Sequence, residues 1–393
     1  MITIRTLKPE DMKGLMSLVA EAGFPARSAE GWRWALFGNP DQGEIAPGLV
    51  AERDRRMLAV IGLQTRSFMV NGKPERAING HTFIASHDGR GAGFALARRA
   101  LATEGISAVY SLNNNAMAGR LHKKLGLTAW LGQGGRARLE WPVHSVTMAA
   151  GVALTRAARK EAIYDWFARR EWFARAPRSL ERFLPASGPV CALHPDEASD
   201  AERLNEFNET ASHAHRAAPV RRADVYAWQM ADPDAPGRIA LLGLPGRNGL
   251  DGLMQLAITK PNTFEPADLE IIDLDVRPGA DQARVVPELI KAALAVTRRA
   301  RLSRLRLPFS DRFEPICFQG TGLRFTRMQS HDIAHAAFAD PDGTLARYWV
   351  PTGFEGDLFF ALRLVPPSAH AQRMEALQSP RDGMSVGKQV PNA

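Results

Sequence analysis

The chain has 393 residues, of which 45% are apolar and 23% charged, a balance that excludes a disordered, collagen-like or coiled-coil chain. Fifty Lys and Arg against 42 Asp and Glu leave a net charge of +8, which favours an anionic ligand or surface without identifying it. Cys191 and Cys317 are the only cysteines, so a disulfide framework and a cysteine-rich metal site are excluded, and a reducing compartment fits.

At roughly 100 to 200 residues per domain the length predicts about two domains. The N-terminal stretch through Asp11 lacks the basic start and apolar core of a signal peptide. No run approaches the roughly 18 apolar residues of a membrane span, and a cytoplasmic protein is expected. Ile2 to Thr6 alternates like a strand, and Lys8 to Asp11 opens a helix with Met12, Leu15, Leu18 and Val19 on one face. After the aromatic stretch Trp32 to Pro40, the runs Gly48 to Ala51 and Met57 to Thr65 read as paired strands. Arg66 to Val70, the turn Asn71-Gly72 and Ala77 to Ser86 continue an antiparallel meander.

At Gly89 the period changes. From Phe94 the chain reads as a helix, Ala108 to Leu112 as a strand, and Met117 to Leu125 as a helix stopped by Gly126. A closing strand ends near Trp141-Pro142, completing an α/β unit over residues 1–141. Residues 142–200 read as a helical connector in which Trp166, Phe167, Trp172 and Phe173 interleave with Arg169, Arg170 and Arg175. Two readings stay open there: an aromatic stripe packed between domains, or peripheral contact with an anionic membrane.

A second unit, 201–366, begins with a helical stretch. Strands follow at Ile239 to Leu244, Gly252 to Ile258 and Leu269 to Val276, then a helix at Gln282 to Arg299 and a strand at Ser303 to Pro308. The tail, 367–393, has little periodicity and is expected to be disordered.

The segment Thr82 to Leu96 carries the chemistry. A strand feeds a turn containing Gly89, Arg90, Gly91 and Gly93 that opens directly into a helix, so backbone N–H groups and the helix's positive end converge on one point suited to a pyrophosphate. No Gly-Lys-Ser/Thr follows, so it is not a P-loop, and it comes after several antiparallel strands, unlike a Rossmann turn.

Arg90-Gly91-Ala92-Gly93-Phe94-Ala95 resembles motif A of the GNAT (GCN5-related) N-acetyltransferases, and Asn115 through Leu127 resembles their motif B, Asn-x-x-Ala-x-x-Leu-Tyr-x-Lys-x-Gly-Phe. The resemblance covers residues 1–141. It implies acetyl-CoA or another acyl-CoA as co-substrate, with Arg90, Gly91, Ala92, Gly93, Phe94, Ala95 and Asn115 in the binding motifs and backbone at Ile84 and Ala85 presented to the pantetheine arm. It also implies direct attack of an amine on the thioester carbonyl, and a small-molecule amine is the expected acceptor.

Departures from the family are specific. His122 stands where a tyrosine often protonates the leaving thiolate, either as an imidazolium acid or as a polar residue without a catalytic part. Asn79 stands where some relatives have a glutamate base, and His81, two residues on and on the same face, is the local substitute or a structural histidine. No metal is required; His213-Ala-His215 reads as a surface loop.

The second half echoes the first: Tyr226-Ala-Trp228 before Asp232-Pro233 answers Trp32-Arg-Trp34 before Asn39-Pro40, and Thr321-Gly322-Leu323 answers Leu125-Gly126-Leu127. The expected architecture is therefore α/β, two tandem GNAT-like domains, each a mixed and mainly antiparallel sheet flanked by helices. Around Asp275 to Asp281 the second copy lacks the glycine pair and places Pro278 and Asp281 where phosphate would sit, so it should not bind CoA this way. Trp32, Trp34 and Trp228 read as core residues or as acceptor-site lining. A Fem-like transferase using aminoacyl-tRNA and a CoA-binding scaffold without turnover stand as alternatives.

Overall fold

Apolar spacing and turn residues account for most of the elements in the computed structural model, which describes residues 2–22, 27–89, 91–112, 114, 116–131, 137–157, 176–260, 266–308, 312–329 and 334–356. Strand β1 (Thr3–Thr6) leads into α1 (Met12–Glu21), which buries Met12, Leu15, Leu18 and Val19. The aromatic stretch is a helix, α2 (Ala29–Phe37), capped by Ser28, whose side chain accepts from the Gly31 N–H. Next come β2 (Gly48–Arg53), β3 (Arg56–Val70) and β4 (Lys73–Ala85). Asn71 and Gly72, both at positive φ (49° and 75°), make the hairpin turn. β3 runs unbroken through Thr65 and Arg66.

The first half continues with α3 (Ala92–Leu101), β5 (Ala108–Ser111), α4 (Ala116–Lys124), β6 (Thr128–Ala129), β7 (Ala137–Pro142) and α5 (Ser145–Ala157). Gly126 at φ 88° stops α4. The second half holds β8 (Cys191–Leu193), α6 (Ala198–Ala214), β9 (Ala217–Pro219), α7 (Ala223–Met230), β10 (Ile239–Gly246), β11 (Gly249–Thr259) and β12 (Asp268–Val276). It ends with α8 (Gln282–Arg299), β13 (Arg304–Pro308), β14 (Thr326–Gln329), β15 (His335–Phe338) and α9 (Thr344–Tyr348). Trp166, Phe167, Trp172, Phe173 and the arginines among them lie outside the described residues, as does the tail 367–393. Among the described residues no helix is long and apolar enough to cross a membrane.

Two mixed sheets result. One has the order β1-β2-β3-β4-β5-β15-β6, with β9 added against β3; the other has the order β8-β10-β11-β12-β13-β7-β14. The two orders correspond, except that each sheet takes its sixth strand from the other half. β7, expected to close the first unit, pairs instead with β13 (Leu305↔Trp141) and β14 (Thr326↔Glu140). β15 fills the vacated place, with His335 opposite both Ser111 and Ala129. The period-2 pattern of a strand fixes which face it buries but not which sheet it joins. Leu139 and Trp141 of β7 join a core with Leu289, Ile290 and Ala293 of α8, whereas Ala336 of β15 joins Tyr110, Trp130 and Trp349.

The halves also meet through a reciprocal tryptophan pair. Trp34 and Trp228 stack at 5.1 Å, and each indole N–H donates to the other's carbonyl, at 2.8 and 3.2 Å. Both are part of the seam between halves, and Trp32 is buried in the core beside α1. These contacts argue for packing rather than an open acceptor site.

Candidate active site

Strand β4 organises the site. Its parallel pairing with β5 runs through Ala77↔Ala108, Ile78↔Val109 and Asn79↔Tyr110, then stops, although β4 continues to Ala85. Among the described residues the pairing of β4 with β5 ends at Asn79, while its pairing with β3 continues to Ala85, so the two strands part there. A bulge re-aims the same stretch: Gly62 pairs with His81 and Val60 with Ile84, leaving Thr82 and Phe83 opposite Ile61. Thr82 sits at φ 49°, a rare conformation for a β-branched residue.

The strand then enters its turn. The Ser86 N–H donates to the Leu58 carbonyl (2.8 Å) and the Gly89 N–H to the Ser86 carbonyl (3.0 Å). A Cβ on Gly89 would lie 2.6 Å from the Leu58 oxygen, so only glycine lets the turn lie this close to β3. Gly91 caps α3 at φ 87°. The Ala95 N–H donates to the Gly91 carbonyl (3.2 Å), and the N–H groups of Ala92, Gly93 and Phe94 precede that bond, with no acceptor inside the helix. Backed by the helix dipole, they form a start suited to an anion. Gly93 has a second reason to be small: a Cβ there would come within 2.7 Å of Phe83 Cζ, so the ring that joins β4 to α3 needs the space.

Gly91, Ala92, Gly93, Phe94 and Ala95 are thus gathered at one helix start. Ile84 and Ala85 end the strand that feeds it, Ile84 with a buried side chain and Ala85 exposed. Arg90 and Asn115 lie outside the described residues.

His122 lies on α4 with its ring edge-on to His335, centroids 5.5 Å apart. The exchanged strand brings His335 there. Ser111 Oγ donates to Asn114 Oδ1 (2.9 Å), which orients the amide, and Asn114 Nδ2 stands 3.2 Å from His335 Nδ1. This network assigns the proton of a neutral His335 to Nε2. Gly119 makes room, since a Cβ there would be 3.2 Å from His335 Cε1. Burial, with His335 adding to it, pushes His122 down to about 4, so at neutral pH its ring is neutral and an imidazolium acid is not populated. Asn114 had a sequence signal, standing one residue before the Asn115 motif. His335 had none.

His81 is buried against Gly62, with Nδ1 2.9 Å from Thr82 Oγ1. Burial first, then Arg66 and Arg27, push it down to about 3, which leaves it a poor proton acceptor at neutral pH. Asn79 is wholly buried opposite Gln64.

At the corresponding place in the second half, Asp281 caps α8 with its own carboxylate, Oδ1 accepting from the Ala283 N–H at 3.0 Å. That start is already filled by negative charge. His213 lies in the last turn of α6 and His215 just after it, a helix end rather than a loop. No group of metal-ligating side chains occurs among the described residues.

No family model and no curated protein matches the chain. Solved structures do. A GCN5-related N-acetyltransferase from Kribbella flavida is similar over 88% of this chain and 74% of its own, with a TM-score of 0.52 at 12% identity. One from Anabaena variabilis ATCC 29413 is similar over 86% and 73%, at 0.50 and 10%. A conserved protein of unknown function from Enterococcus faecalis V583, described as a probable N-acyltransferase, is similar over 89% and 75%, at 0.52 and 10%. The chain therefore has the fold of the GCN5-related N-acetyltransferases.

Proposed function

We propose that the chain transfers an acyl group from an acyl-CoA to an amine by direct attack. The observation that carries this reading is the parting of β4 from β5 at Asn79/Tyr110, combined with the glycine turn that leads the freed strand into α3. The first N–H groups of α3 would hold the CoA pyrophosphate. Backbone at Ile84 and Ala85, at the end of β4, would pair with the amides of the pantetheine arm and aim an N–H at the thioester oxygen. The amine nitrogen forms the new C–N bond, the C–S bond breaks, and CoA leaves as thiolate.

Neither proton transfer falls to a charged side chain. Asn79 cannot take a proton, and His81 is too weak a base, so the amine proton passes to water. His122 can hydrogen-bond the thiolate only through a neutral ring N–H, and the thiolate takes its proton from solvent. Positioning supplies most of the acceleration in this scheme.

Titration calorimetry with acetyl-CoA tests the first step, on the parent and on Gly91→Asp. Nothing lies within 4 Å of the added Cβ, and aspartate bears the strain of the positive φ at Gly91 better than most residues. We expect at least about a hundredfold weaker binding by the variant, from a carboxylate placed against the pyrophosphate. Equal, weak binding by both proteins would sink the assignment.

A CoA-binding protein without turnover is the second reading, favoured by the low proton affinity of both His81 and His122. Thiol release in the presence of amines separates the two. A Fem-like transferase would instead bind tRNA with steep salt dependence.

A further inference from the structure

Buried polar groups nearly always find partners, and one patch of the first sheet does not. Gln64 and Arg66 lie two apart on β3, hence on one face, and Asn79 on β4 pairs directly opposite Gln64. Their exposures are 1%, 2% and 0%. Arg66 Nη2 donates to Gln64 Oε1 and to the Phe354 carbonyl, each at 3.0 Å. Arg66 Nε and Nη1, Gln64 Nε2 and both amide atoms of Asn79 have no hydrogen-bond partner among the described residues.

Charge is unbalanced in the same place. Arg66 has no carboxylate within ion-pair distance among the described residues. Asp41 and Glu355 act on it from farther off, and each is committed elsewhere, Asp41 to Arg222 (3.0 Å) and Glu355 to Arg221 (2.7 Å). The guanidinium is held in place by the rings of Trp228 (5.5 Å) and Phe354 (5.3 Å). A buried cation kept rigid, with unused N–H groups beside the unused Gln64 Nε2 and the unused Asn79 amide, is a costly arrangement unless an anion completes it.

The position of the patch and its charge name the anion. Asn79 is the last residue of β4 paired with β5, so the patch adjoins the point where the strands part and where an attacking amine must stand. Within the patch, among the described residues, Arg66 is the one charge without an ion-pair partner, since burial keeps neighbouring His81 neutral, and a single positive charge matches a carboxylate better than a dianionic phosphate. Phe354 covers Arg66 from the second half, and β4 and β5 part next to Asn79.

We propose that Gln64, Arg66 and Asn79 bind the carboxylate of the acceptor, which is an α-amino acid or another compound with a carboxylate close to its amine. This rests on the acyl-transfer reading for the role of the amine, though binding of the carboxylate can be read without turnover.

The test compares each of the twenty amino acids, at tens of millimolar, with its carboxamide. Melting temperature is measured on the parent, Arg66→Met and Gln64→Glu. At least one amino acid should raise the parent's melting temperature while its carboxamide does not, and neither variant should respond. Gln64→Glu should itself melt above the parent, since the new carboxylate supplies the missing counter-charge, and it keeps the test alive if Arg66→Met fails to fold. In thiol-release assays, the acid should be favoured over the amide by at least about tenfold in kcat/KM, and both variants should lose that preference. The proposal is overturned if no amino acid protects the parent or if the carboxamide protects equally. Protection that survives in Gln64→Glu, or a lower melting temperature for that variant, overturns it as well. Acetyl-CoA calorimetry on the same proteins reports separately: a parent that binds an amino acid but no acetyl-CoA refutes acyl transfer and leaves the carboxylate site standing.

Discussion

Two arginines at the seam between the halves are buried alike and treated oppositely. Arg221 and Arg66 each lie over the ring of Phe354, at 5.4 and 5.3 Å. Arg221 faces Asp273 (2.8 Å), Glu355 (2.7 Å) and Asp275 (3.5 Å). Burial works against its charge, but the three carboxylates outweigh burial and hold its proton more firmly than usual. Arg66 has burial without that compensation, and its proton is held less firmly. One guanidinium is complete within the fold and the other waits for something outside it. Arg221 belongs to the structure that ties the halves together, along with Tyr226 and Thr352, which both donate to Asp273 (2.7 and 2.8 Å). Arg66 belongs to the site.

Replacing each by methionine breaks the comparison if it is wrong. Arg221→Met strands buried carboxylates and should cost about 3 to 5 kcal/mol in denaturant unfolding. Arg66→Met strands no carboxylate; it loses two hydrogen bonds and also relieves a buried charge. Its loss should be less than half as large. Equal losses would mean that Arg66 is as structural as Arg221.

Acid sharpens the same contrast through His81. Its folded pKa of about 3 lies below the ordinary value of 6.5, so between those values the unfolded chain holds a proton that the folded chain lacks. Its contribution to stability is whole above about pH 6.5 and is lost as the pH falls toward about 3, on the order of a few kcal/mol. His81→Met should flatten that limb of the stability profile. Because Arg66 is one cause of the depression, second to burial, Arg66→Met should narrow the window from its acid end. A profile unchanged by Arg66→Met would show that Arg66 has no part in setting the His81 pKa.

What the sequence made legible was local. The helix read at Gln282 to Arg299 is found with those bounds, because Val285, Leu289 and Ala293 repeat at helical spacing and Asp281 caps them. The glycine turn at Gly89 to Gly93 is equally local, and it announced the helix start. Long-range pairing was not legible. His335 to Phe338 carries no turn, cap or motif to say that it belongs beside Ser111, more than 200 residues earlier, and β7 suits either sheet by its alternation. The second histidine of the site was hidden for that reason. Gln64 and Arg66 looked like ordinary strand positions, since an unpaired buried arginine becomes visible only when its surroundings are known.

The smallest effect separates the two helix starts, the other place where the halves diverge. Gly91 gives the first N–H groups of α3 no side-chain acceptor, whereas Asp281 supplies α8 with its own. Removing that acceptor in Asp281→Ala should cost about 1 kcal/mol, as for other N-cap losses. The cost should appear in thermal unfolding and nowhere else. Acetyl-CoA affinity should stay within about twofold of the parent's, less than half a kcal/mol, because the second start holds no phosphate. If the substitution instead created a second acetyl-CoA site in calorimetry, the carboxylate of Asp281 would be all that closes the second half to the ligand, and the two helix starts would differ by one side chain rather than by design of the whole turn.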